Sequence, residues 1–434
     1  MSVPARALNP APAEGGGWLS RWTRILAAYF TAQTLTQALG ILAGLLFVNL
    51  MPVREFALYT LATSVVTFFT FLSDLGSTSS LVFFFRRSQG EEGELRRFVA
   101  AVLSLRKMAF LAGALAVAAA FPRASAARGF GWRESLPAAA GIILCAWFQL
   151  SSSVRVLALR LLDRYGQSYR AEVAGSGLRL AIALAMAAAG ALWAWLGVLS
   201  AGLGMALTSL LAKPTHPAGI AEDLGPYRRK ILRYLLPSLP SALYFSIQGP
   251  LTVWLAATFG STRNIAEVGA LGRLGLIMGI FSSLTGVVFL PRLARITDER
   301  LYWRRYLQFG ALLLAIAAAV LLAAAVVPDL FLLLLGKKYS GLYTELLLTV
   351  GSSGFTLVGG YAVSVNLARS WNRWEGLAVV LLIASQGVMV AVLPLSRTAG
   401  VLSFNLLSGA VGLSLQMMIT LTGFFRPRWV QWMP

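Results

Sequence analysis

Val154-x-Val156-x-x-x-Arg160-x-x-Asp163-Arg164-Tyr165 returns 209 residues later as Val363-x-Val365-x-x-x-Arg369-x-x-Asn372-Arg373-Trp374. Four positions are identical and two are close substitutes, and each copy closes an apolar stretch at the same place in its half of the chain. Outward from this pair, runs of about 20 apolar residues recur with short polar breaks, the length a helix needs to cross the hydrocarbon of a bilayer. Twelve spans result: 25–50, 56–85, 99–121, 137–159, 173–189, 191–212, 236–259, 266–290, 306–327, 342–367, 376–395 and 398–424. Six spans therefore repeat six. The expectation is an all-α integral membrane protein of about 12 transmembrane helices in two six-helix pseudo-symmetric lobes, a duplicated design in which the substrate path runs between the copies.

Composition agrees with that reading. Hydrophobic residues make up 57% of the 434 and charged residues 12%, about half the charged fraction of a soluble domain. The net charge of +20 suggests nucleic acid until its placement is considered. With the N-terminus inside, the N-tail, the even-numbered loops and the C-tail hold 24 of the 37 Lys and Arg, the odd-numbered loops eight, and the spans five. Such an asymmetry follows the positive-inside rule, with both termini cytoplasmic and much of the charge facing anionic lipid. The single Cys145 excludes an internal disulfide or a cysteine metal cluster, and the single His216 excludes a multi-histidine site.

Residues 1–23 read as a flexible cytoplasmic tail, 24–212 as the first lobe, 213–235 as a cytoplasmic linker, 236–425 as the second lobe and 426–434 as a second tail. The linker holds Pro214, Pro217, Pro226 and the basic Arg228-Arg229-Lys230, and Tyr227–Leu236 reads as an interfacial helix. The first span is too long for the core of a cleaved signal peptide and reads as a retained helix. The largest odd-numbered loop, Pro122–Pro137, is too small for a catalytic domain, and the chain has no Gly-x-x-x-x-Gly-Lys-Ser/Thr phosphate loop. An enzyme is not expected, nor is a cofactor beyond a coupling proton or sodium ion, or the membrane potential.

Polar residues inside a bilayer are costly unless they face protein or water, so their pattern marks candidate sites. Tyr29, Gln33, Thr36, Gln37 and Gly40 form a stripe on the first span, answered on the seventh by Ser238, Ser241, Tyr244 and Gln248. These amide faces either line a cavity that reads sugar hydroxyls or hydrogen-bond neighbouring helices as packing glue. The second span carries the polar island Ser73-Asp74-Leu75-Gly76-Ser77-Thr78-Ser79-Ser80, read as a bent or locally unwound helix. Asp74, its acid, binds a coupling ion, pairs with an intramembrane arginine or caps a helix break. Arg155 and Arg179 lie near predicted cytoplasmic ends and either snorkel to the interface or contact substrate. Arg106 and Lys107 read as snorkelling. Arg273 enters from the other side amid Gly269, Gly272 and Gly275 and is the leading substrate-binding candidate, since its fork of donors matches a diphosphate. Pro237, Pro240 and Pro250 make the seventh span either a moving element or a static kink.

Several motifs resemble the polysaccharide and oligosaccharide-lipid flippases of the multidrug/oligosaccharidyl-lipid/polysaccharide (MOP) exporter superfamily. Glu55-Phe56-Ala57-Leu58-Tyr59-Thr60-Leu61-Ala62 with the later Asp74-Leu75-Gly76 is similar to the family's second-helix pattern, Phe289-Leu290-Pro291-Arg292-Leu293-Ala294-Arg295 to its eighth-helix ending, and Leu335-Gly336-Lys337-Lys338-Tyr339 to its tenth-helix lead-in. The resemblance implies a MATE-like fold, two lobes in a V around a central cavity. It implies alternating access that carries a polyprenyl-diphosphate-linked glycan to the outer leaflet of the inner membrane, with a polysaccharide polymerase and other assembly proteins as partners. Peptidoglycan-precursor relatives usually carry two further helices and additional cavity arginines near the second-helix polar region. Here that region reads Phe71-Leu72-Ser73, without a basic residue, which favours a surface-polysaccharide repeat unit as substrate. The alternatives are a multidrug or amphiphile exporter, whose relatives place acids in the first or seventh helix as this chain does not, and a non-transporting scaffold of a polysaccharide assembly complex.

Overall fold

The computed structural model describes residues 17–87, 91–212, 224–236, 239–285, 289–294, 296, 298–369, 371 and 374–424, with side chains from Gln33 on except at a few positions that include Ser241. Regular structure among them is helical. The first half comprises α1 (Gly17–Leu50), α2 (Val53–Asp74), α3 (Ser77–Arg87), α4 (Glu92–Ala126), α5 (Trp132–Leu161), α6 (Tyr165–Ala188) and α7 (Ala194–Leu211). The linker helix α8 (Gly225–Leu235) leads to α9 (Leu239–Phe259), α10 (Thr262–Leu284), α11 (Leu290–Ala294), α12 (Glu299–Val326), α13 (Pro328–Leu335), α14 (Tyr343–Ala368), α15 (Glu375–Val392) and α16 (Thr398–Phe424).

Eleven of these are long and apolar enough to cross a membrane. Helix α9 is another long helix, with 21 residues, and its Tyr244, Gln248 and Pro250 dilute its hydropathy. Each of the twelve expected spans thus holds a long helix, eleven of them apolar enough to cross a membrane among the described residues. The fifth and sixth, which no charge separates, are parted by a turn in which Gly190 takes φ 65°. Helix α1 starts at Gly17, so the helix reaches into the segment expected to be a flexible tail.

Packing follows the duplication. In the first half α5 lies on α4, α2 and α7, and in the second α14 lies on α12, α10 and α16. The pairs α1 with α6 and α6 with α7 return as α9 with α15 and α15 with α16. Between the halves α1 meets α10 and α2 meets α9, with α2 and α10 crossing where Gly269 presses on Thr60. The repeated motif closes α5 and α14; Asn372 and Arg373 of its second copy lie outside the described residues.

One buried core joins the halves toward the end that carries Met51, Phe56 and Tyr339. That end is also tied by polar contacts. Lys338 Nζ donates to the carbonyls of Asn49 (2.9 Å) and Met51 (2.7 Å), Asn49 Nδ2 to that of Leu334 (2.8 Å), and Arg128 Nε to that of Ala257 (2.7 Å). Burial holds the Lys338 ammonium below the usual lysine range. Toward the opposite end, the second cluster is built from first-half helices and α8 alone, with Ile231 and Leu235 packed on Leu81, Phe98 and Val102. The expected linker helix therefore docks on the first half.

The second span is two helices. Leu75 enters the left-handed region at φ 41° and Gly76 follows at φ 84°, a conformation that is steric strain for leucine and free for glycine. Asp74 holds the break: its Oδ1 accepts from the Thr78 backbone N–H (3.2 Å), Thr78 Oγ1 (2.6 Å) and Ser77 Oγ (2.9 Å). The expected interruption at the polar island is present.

Helices α6 and α7 approach at facing glycines. A Cβ at Gly204 would stand 2.6 Å from the Gly175 carbonyl oxygen and 3.3 Å from Cβ of Arg179. Gly204→Ala is expected to destabilise the protein by about 1–3 kcal/mol through overpacking, read as a lower melting temperature in detergent. An unchanged melting temperature would mean that the helices separate freely there.

Candidate functional site

Two of the sequence's candidate arginines come together on one phenol. Tyr59 of α2 is fully buried, with Gly197 of α7 and Phe47 of α1 against its ring. Arg179 reaches it from α6 and donates from Nη2 to the Tyr59 hydroxyl at 3.1 Å. Arg273 reaches it from α10 in the other half, its guanidinium carbon 5.5 Å from the Tyr59 ring centroid. The stem of Arg273 passes Gly44 of α1, where a Cβ would stand 3.3 Å from Arg273 Cδ. Glycine at 44 is what lets α1 and α10 close on that stem.

Neither arginine has a carboxylate partner among the described residues. The Nε of each is buried without an acceptor, an omission that costs about 1–3 kcal/mol per donor. Thr60 Oγ1, beside Tyr59, is likewise buried and unpaired. Two guanidiniums with spare donors thus stand at the junction of the halves, a donor set of the kind that pairs with oxyanions. Beside Arg179 opens a cavity of about 240 Å³ whose polar lining includes Thr36, Gln149, Ser152, Ser176 and Glu172. The one carboxylate in that lining, Glu172, is paired with Arg160 at 2.7 Å.

Arg179 corrects the expectation that it sits near a helix end. Hydropathy placed the start of the span at 173, but α6 begins at Tyr165. Arg179 is therefore 14 residues along, about 21 Å from that end by the helical rise, and it does not snorkel. Arg155 is not part of this group. Its Nη1 donates to the Ser209 carbonyl (2.8 Å) and Oγ (2.7 Å) and ties α5 to α7.

Arg106 overturns the snorkelling expectation outright. It is 3% exposed and forms an ion pair with Asp74. Its remaining donors go to Ser77 Oγ (2.8 Å), Thr78 Oγ1 (2.6 Å), the Leu150 carbonyl (3.0 Å) and Ser153 Oγ (2.8 Å). Of the roles open to Asp74, the ion pair and the helix-break cap are both present. Asp74 is remote in this arrangement from the Tyr59 group, on which other side chains converge.

The amide faces divide. Gln33 and Gln37 are partly exposed on α1, and Gln37 Oε1 lies beside Gly279 of α10, within 3.8 Å of where a Cβ would be. On α9, Gln248 exchanges hydrogen bonds with Gln386 of α15 at 2.9 and 3.1 Å, so its amide joins helices. Gln248 and Tyr244 also border a cavity of about 370 Å³ with Glu375 and Gln416. Ser238 and Pro237 lie outside the described residues, as do the side chains of Tyr29, Pro240 and Ser241.

Sequence reading missed Tyr59 as a site residue, because a buried aromatic in an apolar span looks like core. Its signals were a phenol among mostly hydrocarbon neighbours and its place in the Glu55–Ala62 stretch that resembles the family's second-helix pattern.

The long apolar helices define a multi-pass membrane protein. No family model matches the sequence, and no curated protein matches it. Solved structures do match over nearly the whole chain. An inward-facing multidrug resistance MATE family transporter of the MOP superfamily is similar with a TM-score of 0.66 and 18% identity, covering 92% of this chain and 100% of that one. The lipid II flippase MurJ in an inward closed conformation is similar with a TM-score of 0.69 and 13% identity, covering 91% and 89%. A MATE in the bent conformation is similar with a TM-score of 0.53 and 19% identity, covering 94% of this chain and 96% of that one. More particularly, then, the chain has the fold that those MATE and MurJ structures share.

Proposed function

We propose that this protein is a transporter that flips a polyprenyl-diphosphate-linked oligosaccharide, a surface-polysaccharide repeat unit, from the inner to the outer leaflet by alternating access. The observation that carries the reading is the convergence of Arg179 and Arg273, one from each half, on Tyr59 without carboxylate partners. A diphosphate supplies the acceptors that their buried Nε groups lack, and binding it across the two halves couples head-group occupancy to how the halves sit. The charge distribution supports taking the tied end as extracytoplasmic, with both termini on the cytoplasmic side of the inner membrane. A diphosphate carries roughly two negative charges, and each gains about 2.3 kcal/mol per 100 mV on leaving an inside-negative cell. The potential is enough to drive export without a counter-ion.

A second reading, export of amphiphiles, draws on the second half. An apolar cleft of about 700 Å³ between α12, α14 and α16 adjoins the cavity that holds Glu375, the two sharing Phe355 and Leu413 as a wall. A proteoliposome assay separates the readings. Purified protein with a polyprenyl-diphosphate-linked oligosaccharide is expected to move the glycan across the bilayer, read by its access to an impermeant glycosidase, faster under a potential of the exporting sign and indifferent to proton or sodium gradients. Efflux of amphiphilic dyes without glycan movement supports the second reading. Transport of neither by folded protein favours a scaffold.

A further inference from the structure

The structure holds a second cationic site, on the outside of the first half. A cavity of about 240 Å³ between α4 and α5 is lined by Ser104, Arg106, Lys107, Trp147, Ser151 and Arg155, among others. Its charges are unequal in availability. Arg106 is spent on Asp74 and four further acceptors. Arg155 commits only Nη1, to Ser209, which leaves Nη2 and Nε. Lys107 is exposed. Arg228 of the linker helix reaches the same rim, its Nε 2.8 Å from Ser104 Oγ. Lys107, Arg155 and Arg228 have no carboxylate partner among the described residues.

The surroundings of this cavity are apolar and face outward. Met108 is 63% exposed, Leu111 55% and Trp147 39%, as suits side chains that meet acyl chains. Arg155 stands six residues before the end of α5 at Leu161, about 9 Å by the helical rise, the depth of a headgroup boundary. That end also carries α8 and the basic loops assigned to the cytoplasm. Lys107 lies deeper, 15 residues from the start of α4 at Glu92, and its long stem carries the ammonium toward the headgroup boundary. The pair, open to the bilayer and bordered by an indole, matches the basic pockets between membrane helices that hold anionic headgroups. A zwitterionic headgroup would bring its own ammonium into contact with the same cations and is disfavoured.

We infer that the α4–α5 cavity binds one anionic glycerophospholipid of the cytoplasmic leaflet, its phosphodiester between Lys107 and Arg155 and its chains along Trp147 and Phe110. Through Ser104 the bound headgroup also meets Arg228, so the lipid joins α8 to the first half. The site is separate from the Tyr59 group and holds whether or not that group binds a diphosphate.

Native mass spectrometry of the full-length protein in detergent tests this, with dioleoyl phosphatidylglycerol against dioleoyl phosphatidylcholine. Phosphatidylglycerol is expected to be retained preferentially. Lys107→Ala and Arg155→Gln should each weaken that retention about fivefold, the equivalent of about 1 kcal/mol per cation near the headgroups, while Arg273→Gln leaves it unchanged. Lys107 is exposed, so its variant stays informative if Arg155→Gln misfolds. Millimolar pyrophosphate should not displace the lipid. Equal retention of the two lipids, or unchanged phosphatidylglycerol retention in Lys107→Ala, overturns the inference, and displacement by pyrophosphate would reassign the cavity to a diphosphate.

Discussion

Replacing Arg179 and Arg273 together by glutamine is expected to abolish the proposed glycan-lipid transport yet leave the folded protein as stable as the parent, or more so. The two halves of this expectation come from one observation. Each guanidinium is held at the junction of the halves with a buried Nε that has no acceptor and no carboxylate within ion-pair reach among the described residues. Two like charges share a single phenol there, and removing them relieves repulsion in a region where water screens poorly. Functional sites of this kind trade stability for binding. A charge-assisted hydrogen bond contributes about 1.5–3 kcal/mol, so losing one at each arginine slows transport by about two to four orders of magnitude. Arg273→Lys keeps the charge but not the planar fork, and should retain partial activity. Transport in proteoliposomes and melting temperature in detergent are the two measurements. If the double variant melts well below the parent and its transport falls in step, the arginines are structural and the diphosphate site is lost with them.

What could be read from the sequence, and what could not, divides along the range of the interaction. The spans were legible because a bilayer demands about 20 apolar residues of any helix that crosses it, a constraint written locally. The break at Asp74–Gly76 was legible for the same reason, as polar residues and a glycine where a continuous helix would place them in lipid. The start of α6 was not, because Tyr165–Glu172 is polar and hydropathy ends a span where polarity begins, although helix propensity carries the helix on. Arg106 was misread because its partner is 32 residues away on another helix; a charge seen alone reads as snorkelling. Gln248 has the same lesson, its partner Gln386 being 138 residues off. Tyr59 owes its role to two arginines from different halves, and no window of sequence contains all three.

Asp74 carries the other large effect, and it separates a structural carboxylate from an ion-coupling one. Asp74→Ala leaves the Arg106 guanidinium, 3% exposed, without its counter-charge, and breaking a buried pair in this way costs about 3–5 kcal/mol. It also removes the acceptor that caps α3 through the Thr78 N–H and holds Leu75 in its left-handed turn. Asp74→Asn keeps an oxygen for Thr78 and Ser77 and should lose less. Arg106→Met alone leaves behind an aspartate that is 27% exposed and can reach water, so it should be milder than Asp74→Ala. The double variant Asp74→Ala/Arg106→Met then recovers much of the single loss, since neither unpaired charge remains, and its melting temperature should lie above that of Asp74→Ala. Transport follows the fold under this account: Asp74→Asn and the double variant move glycan-lipid within several-fold of the parent once matched for folded protein. A carboxylate that takes up a coupling proton or sodium ion behaves otherwise. Asp74→Asn would then be folded, present at normal levels in the membrane and inert, and no change at Arg106 would restore it.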